Sequence, residues 1–470
     1  MWVLAESVAA AVFSLVSMLV IGRVIGPEAT GTGTVAIAAF LIVDVLIAAM
    51  WPDALVQWPR LARRHADSAL TASIVIGLAA GMGLAAVGPL LADGTGSPEV
   101  AWLILALAPL LPFSAFSGTA SGLYLREQRF RLLALRLFIG QPVAIVVGLG
   151  LAFSGHGPWA MVLSQAAATL TTFVLMLRGG VAFRLRLDVA ALRDLWPVAG
   201  PQVAGVAVLV GKYRFFLLAL GMLVPPNVLA VSYFGFRMLD AALGIVWQTV
   251  SRISMPRLCA LQQDRTAMAE TYGNLAQLQA LLGLPICVGI ALTAPDLVQV
   301  LLGPSWAGTA EAAQVVACAA VFTFLHGDYL SLFVATGKAR RNLQVAIVAL
   351  ALPLAALAVF RPQTPGGVAL TWAAQSLLMP PVLTWVVLRE LRRSPMWLLR
   401  RIAPGAIAAA AMAVAVLAIQ AAFVLPPLSR LLVSMIAGAV VFTGVAWIAL
   451  RGQLPRALAA APWPPAERLV

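Results

Sequence analysis

Three cations and one acid stand in the apolar stretch GKYRFFLLALGMLVPPNVLAVSYFGFRMLD, which runs from Gly211 to Asp240: Lys212, Arg214, Arg237 and Asp240. On insertion scales an ionised side chain at bilayer depth costs about 2.5 to 3.5 kcal/mol, so residues retained there are candidates for handling an ion or a ligand. Lys212 and Arg214 are two apart and on a helix project roughly 200° from each other. They cannot both line one wall, so one faces the interior while the other snorkels or pairs with the next helix. Arg237 and Asp240 are three apart and share a face. They form either a self-neutralising pair or a charged wall on a wet interior, and the second is favoured because even a neutral pair is costly against lipid.

Further charges lie in other apolar segments. Asp44 must find a partner, face water or take up a proton; it lines a lumen or is a packing residue bonded to a Ser or Thr. His326 and Asp328, in FLHGDYLSLF, are two apart on an expected helix and do not converge on a metal. They suit a proton relay or a local hydrogen-bond role. Glu6, in the first turns of the chain, faces a vestibule or reaches the cytoplasmic interface, and we read the interface.

Motifs for covalent or nucleotide chemistry do not assemble. Gly31-Thr32-Gly33 follows no strand and precedes no Walker lysine, and no GxxxxGK[ST] sequence occurs. Three histidines form no ligand cluster, and Cys259, Cys287 and Cys318 are odd in number and far apart. The expectation is therefore a chain that is not an enzyme, with no metal, ATP site or cofactor.

The elements that must position these charges are membrane spans. The 470 residues are 62% hydrophobic and 10% charged, with a mean hydropathy of +0.96, whereas a soluble domain is about 25% charged. Windows of about 20 apolar residues, the length that crosses the hydrocarbon core, fit fourteen times: 3–21, 33–52, 69–91, 100–124, 137–153, 159–177, 197–220, 229–250, 276–295, 311–333, 343–360, 367–388, 402–424 and 430–450. The first lacks a basic leader and a cleavage site and is expected to be a retained helix. The net charge of +13 is an orientation signal, not a nucleic-acid footprint. With the N-terminus cytoplasmic, 25 of the 31 basic residues fall in the loops on that side, so both termini are expected in the cytoplasm.

AAFLIVDVLIAAMWPDALVQWPRL and FGFRMLDAALGIVWQTVSRISMPRL read as an internal repeat, with Phe40, Asp44 and Trp51 matching Phe236, Asp240 and Trp247. Both copies sit on even-numbered spans, which makes the halves parallel repeats about an axis along the membrane normal. The expected organisation is a lobe at 1–177 (spans 1 to 6), a basic amphipathic cytoplasmic linker at 178–196, a lobe at 197–388 (spans 7 to 12), spans 13 and 14 at 389–450 and a short cytoplasmic tail at 451–470. Segment 255–274 reads as a short surface helix, APDLVQVLLGPSW as an interfacial turn with Trp306 in the aromatic belt, and spans 13 and 14 as peripheral helices without a buried acid or base.

The runs GRVIGPEATGTGTVAIAAF, WPRLARRHADSAL, MPRLCALQQDRTAMAETY, LPICVGIALTAPDLVQVLLGPSW and ATGKARRN resemble, in this order, the polysaccharide-export flippases of the multidrug/oligosaccharidyl-lipid/polysaccharide (MOP) superfamily. The resemblance covers residues 1–400 and departs from the family pattern in lacking a short basic leader. It implies an all-α polytopic fold of two six-helix lobes plus two C-terminal helices, working by alternating access. The implied partner is an undecaprenyl-diphosphate-linked oligosaccharide carried from the cytoplasmic to the periplasmic leaflet of a bacterial inner membrane, with other proteins of the export pathway, including a polymerase, as further partners. No nucleic acid is involved, and a monomer is expected. On this reading Lys212, Arg214 and Arg237 hold the headgroup in a cationic central cavity, and Arg23 receives it near the periplasmic exit. Asp44, Asp240, Asp328 and His326 serve gating or ion coupling. Drive comes from an H+ or Na+ gradient or from the membrane potential, which supplies about 2.3 kcal/mol per charge at 100 mV. A lipid II flippase or a drug or metabolite antiporter of the same superfamily is the alternative, although cationic drugs favour an acidic cavity.

Overall fold

The computed structural model describes residues 2–180, 184–209 and 211–453, with side chains from Leu19 onward, those of 208 and 209 excepted. The side chains of the expected first span before Leu19, Glu6 among them, and most of the tail from 451 lie outside these residues, as does part of the 178–196 linker. The described helices are α1 (Trp2–Ala48), α2 (Pro52–Gln57), α3 (Arg63–Thr95), α4 (Glu99–Leu107), α5 (Leu111–Arg126), α6 (Phe130–Phe153), α7 (Trp159–Arg178), α8 (Val189–Leu209), α9 (Gly211–Gly221), α10 (Pro226–Ala260), α11 (Arg265–Leu301), α12 (Gly308–Ala320), α13 (Tyr329–Ala335), α14 (Arg340–Phe360), α15 (Pro365–Leu391), α16 (Pro395–Ala422) and α17 (Pro427–Ala449). No strand occurs among the described residues.

Twelve of these segments are long and apolar enough to cross a bilayer, and α8 with α9 makes a thirteenth when that bent pair is taken as one span. They correspond in order to the second through fourteenth expected spans. Their surfaces show what solvent they meet: Met82 and Leu90 on α3, Val146 on α6 and Val440 on α17 are each about two-thirds exposed, which suits lipid and not water.

Three expected straight spans are broken. Span 4 is α4 and α5 joined by a 3-10 turn at Ala108–Leu110, where Pro109 and Pro112 withhold backbone donors. Span 10 is α12 and α13, separated by a 3-10 turn at Val321–Leu325 and a bend. Span 7 is α8 and α9, set 46° apart, after two prolines, Pro197 and Pro201, within α8. Segment 255–274 is not a separate surface helix: α10 runs through Ala260 and α11 begins at Arg265.

By packing, the chain divides into two compact units. The first is Met1–Tyr233 with Leu301–Gly308 and Ala346–Pro365, and the second is Phe234–Val300 with Thr309–Val345 and Gly366–Val470. The division falls inside α10, so α8 and α9 pack with the first unit, beyond the 178–196 linker at which the composition changes.

In the first unit the interval between the first two expected spans is helix with a single kink. Gly26 has φ 81 and ψ 171, a backbone that L side chains rarely adopt, and Pro27 restarts the helix as a first-turn proline can. The GTGT run is therefore helical and packed, not a phosphate loop. Thr30, Thr32 and Thr34 are buried, with hydroxyls donating to the carbonyls of Gly26, Glu28 and Thr30 at 2.7, 3.3 and 2.7 Å. A Cβ at Gly31 would lie 1.9 Å from the Pro226 carbonyl oxygen, so glycine permits this approach of the α10 N-terminus.

Residues 184–188 of the linker lie on α3 as an extended strap, and from 189 the linker is the start of α8. Amides of Arg184, Arg186 and Asp188 donate to Asp67 Oδ1 (3.0 Å), Thr71 Oγ1 (3.1 Å) and Ser68 Oγ (3.0 Å). Alternate amides of an extended chain point one way, and residues 67, 68 and 71 share a helix face, so the two patterns mesh. Asp188 then caps α8 by accepting from Ala190 N at 3.0 Å and Ala191 N at 3.3 Å. Buried His65 accepts from Ala62 N at Nδ1 (3.0 Å) and meets Asp194 Oδ2 at Nε2 (3.3 Å), which assigns the proton of a neutral ring to Nε2.

In the second unit Asp296, 2% exposed, is gripped by Arg430 of α17, whose Nε lies 3.0 and 2.8 Å from the two carboxylate oxygens. Arg401 of α16 binds Glu270 and Asn274 of α11. The last two spans thus dock on α11 through arginines near their starts, Arg401 and Arg430, which are themselves only half-buried. Asp296 lies within α11, which continues through Pro295 to Leu301, so the expected interfacial turn there is helix. Trp306, in the first unit, is fully buried and not an aromatic-belt residue.

Candidate functional site

The repeated motif sets the site's first unit. Phe40 is fully buried and orients the second half of α1, placing half-buried Asp44 one turn further on. The Asp44 carboxylate interacts with the Ser114 hydroxyl of α5 and electrostatically with Arg214 of α9. Arg214 is half-buried, and its Nη1 donates to the Leu41 carbonyl at 2.8 Å. A charge-assisted bond to a backbone oxygen fixes a guanidinium more firmly than a neutral contact would. Arg214 therefore reaches back across to the helix that carries Asp44, and two residues 170 positions apart in sequence become one electrostatic unit.

Lys212 is half-buried at the start of α9, and the ring of the intervening Tyr213 stacks on Tyr233 at 6.1 Å between centroids. Arg23 is exposed, a few residues before the Gly26 kink, and donates from Nη1 to the Leu301 carbonyl at 3.2 Å.

In the second unit α10 carries the other copy. Phe236 is buried and stacks on Trp372 of α15 at 5.8 Å, which orients half-buried Arg237 and exposed Asp240 one turn apart. Trp247 lies parallel to Phe324, 5.5 Å between centroids and 4° between planes. His326 and Asp328 do not stand on a helix but in the break between α12 and α13. His326 Nδ1 donates to the Gly327 carbonyl at 2.8 Å, and the ring meets Tyr329 edge-on at 5.0 Å. The His326 carbonyl accepts from the buried Tyr272 hydroxyl, and Asp328 caps α13 by accepting from Ser331 N at 3.3 Å.

The structure thus groups Asp44 with Arg214, joins Arg23 to the Leu301 carbonyl, places Arg237 and Asp240 on one helix, and gives His326 and Asp328 local partners. Sequence reasoning missed Ser114 and the Leu41 carbonyl, for which no local spacing gives a signal. It also missed the row Asp67, Ser68 and Thr71, whose i, i+1, i+4 spacing at the start of an apolar span was a visible one.

Long apolar helices interrupted mid-span, with ionisable side chains held at the interruptions and on the facing helices, define a multi-pass membrane protein of the transporter type. The family model described as polysaccharide biosynthesis protein matches residues 20–311, and the chain belongs to that family. The succinoglycan biosynthesis transport protein ExoT of Rhizobium meliloti (strain 1021) is 23% identical over 302 residues, which are 62% of this chain and 59% of that relative. Among solved structures, a lipid II flippase, MurJ, in an inward closed conformation superposes with a TM-score of 0.78 at 13% identity, covering 95% of this chain and 99% of that one. An inward-facing multidrug resistance MATE family transporter of the MOP superfamily superposes with a TM-score of 0.66 at 14% identity, covering 81% and 94%. At these identities the superpositions establish the MOP fold.

Proposed function

We propose that the chain is a flippase that moves an undecaprenyl-diphosphate-linked oligosaccharide from the cytoplasmic to the periplasmic leaflet of a bacterial inner membrane, with both termini cytoplasmic, for assembly of a surface polysaccharide. Membership of the polysaccharide biosynthesis family supports the pathway, and the name of the succinoglycan transport relative supports transport within it. The observation that carries the reading is Arg214, a half-buried cation within a span, tied to Leu41 and facing Asp44. A diphosphate headgroup is anionic, and positioned cations lower the barrier to bringing it into a low-dielectric interior.

Lys212, Arg214 and Arg237 bind the headgroup, and Arg23 receives it on the periplasmic side. Asp44 competes with the phosphates for Arg214 and so serves release, while Asp240, His326 and Asp328 belong to gating or ion coupling. The drive is an ion gradient or the membrane potential. Surface polysaccharide is measured in cells carrying Lys212→Ala, Arg214→Ala or Arg237→Ala at normal protein level. Loss of export supports the proposal, and full export by the three single variants and the triple variant removes it. In reconstituted vesicles the transferred lipid keeps its mass, whereas an enzyme acting on it would change that mass.

A further inference from the structure

A basic cavity of about 910 Å³ opens in the second unit, where the turn between α13 and α14 meets the ends of α15 and α11. Arg265, Lys338, Arg341, Arg389 and Arg392 line it, and Glu390 is the one carboxylate among its described lining residues. Glu390, its side chain 11% exposed, holds Lys338 in an ion pair and lies 3.5 Å from Arg341. Arg341 lies over the Phe333 ring at 5.7 Å and Arg389 over the Trp385 ring at 5.3 Å, contacts that hold the cations toward the cavity. A second cavity of about 390 Å³ shares Arg265, Lys338 and Glu390. Five cations around one carboxylate repel one another unless an anion joins them.

Apart from Gln344, the remaining described wall is apolar. Val382 and Trp385 on α15 are 61% and 60% exposed, and with Val386 they continue along a spanning helix away from the cations. A free anion has no use for that wall, whereas a lipid lays its acyl chains on it and its phosphate among the arginines.

We propose that this cavity binds the phosphate-bearing headgroup of an anionic bilayer phospholipid. The site goes beyond the transport reading and uses none of the residues assigned to the cargo. Native mass spectrometry of the full chain in detergent, titrated with phosphatidylglycerol or phosphatidylcholine, reads it directly. Phosphatidylglycerol is expected to be retained and phosphatidylcholine lost. Arg389→Ala/Arg392→Ala is expected to weaken phosphatidylglycerol binding roughly tenfold or more. Glu390→Gln, which removes the competing carboxylate, is expected to strengthen it, a gain that misfolding cannot mimic. Equal retention of the two lipids, unchanged binding in the double arginine variant, or no gain in Glu390→Gln overturns the proposal. Inorganic phosphate displacing phosphatidylglycerol at equal concentration overturns the lipid assignment, because the acyl chains would then contribute nothing.

Discussion

Arg214 and Arg430 are both arginines that interact with an acid inside the apolar part of the chain, one electrostatically and one through a bidentate clasp, yet their surroundings assign them different work. Arg430 grips Asp296 through both carboxylate oxygens, and Asp296 is 2% exposed. Removing one partner of such a pair strands a charge, at about 3 to 5 kcal/mol when the stranded group is buried. Because the Arg430 side chain is 34% exposed and that of Asp296 only 3%, Arg430→Ala is expected to lower the melting temperature of the purified protein more than Asp296→Ala does. Equal shifts would mean that the clasp is not the stabilising contact described. Arg214 instead divides its charge between a backbone carbonyl and a half-buried acid. Arg214→Lys keeps the charge but loses the planar fork, and is expected to export at a reduced rate from a normally folded protein, with Arg214→Ala below it. Export assays at matched protein level check that order. The existence of these charges was legible because an ion in an apolar run stands out by type alone. Their partners were not: nothing in the sequence near Arg214 points to Leu41 or Ser114, and Asp296 and Arg430 stand more than a hundred residues apart.

At the scale of elements, the apolar spans could be read one by one because each must satisfy its backbone internally, and hydropathy reports that requirement directly. Breaks within spans were less visible, since Pro109, Pro112, Pro197 and Pro201 sit in sequence that is apolar on both sides. The Gly and Thr run after Gly26, which falls between the first two expected spans, is helix in the structure. Its residue types favour turns in water, but its threonine hydroxyls bond to carbonyls one turn back, and the glycine admits Pro226. Gly31→Val is therefore expected to reduce the folded yield in the membrane, whereas Gly83→Val, where a Cβ would meet nothing within 4 Å, is expected to leave it near wild type. Fluorescence size-exclusion profiles distinguish the two. The strap on α3 has its own signature. Asp67→Ala removes the acceptor for the Arg184 amide, and trypsin is expected to cut after Arg184 and Arg186 several-fold faster than in the parent protein. An unchanged cutting rate would show that the remaining two bonds hold the segment.

For the molecule as a whole, the repeat was the part of the sequence with most to say, because it involves many residues at once. Phe40 and Phe236 are both buried and both orient a charged residue a turn later, and spans 4 and 10, six apart in order, are both interrupted by a 3-10 turn. The polysaccharide biosynthesis family and the MOP fold follow from the comparisons, and the substrate is argued from charge. The most direct test is transfer of an undecaprenyl-diphosphate-linked oligosaccharide across vesicles containing the purified chain, read by protection of the sugar from an external glycosidase. The account predicts transfer by the wild type with no change in lipid mass, and transfer near the protein-free level for Lys212→Ala/Arg214→Ala/Arg237→Ala. Wild-type transfer that this triple variant retains in full would contradict it.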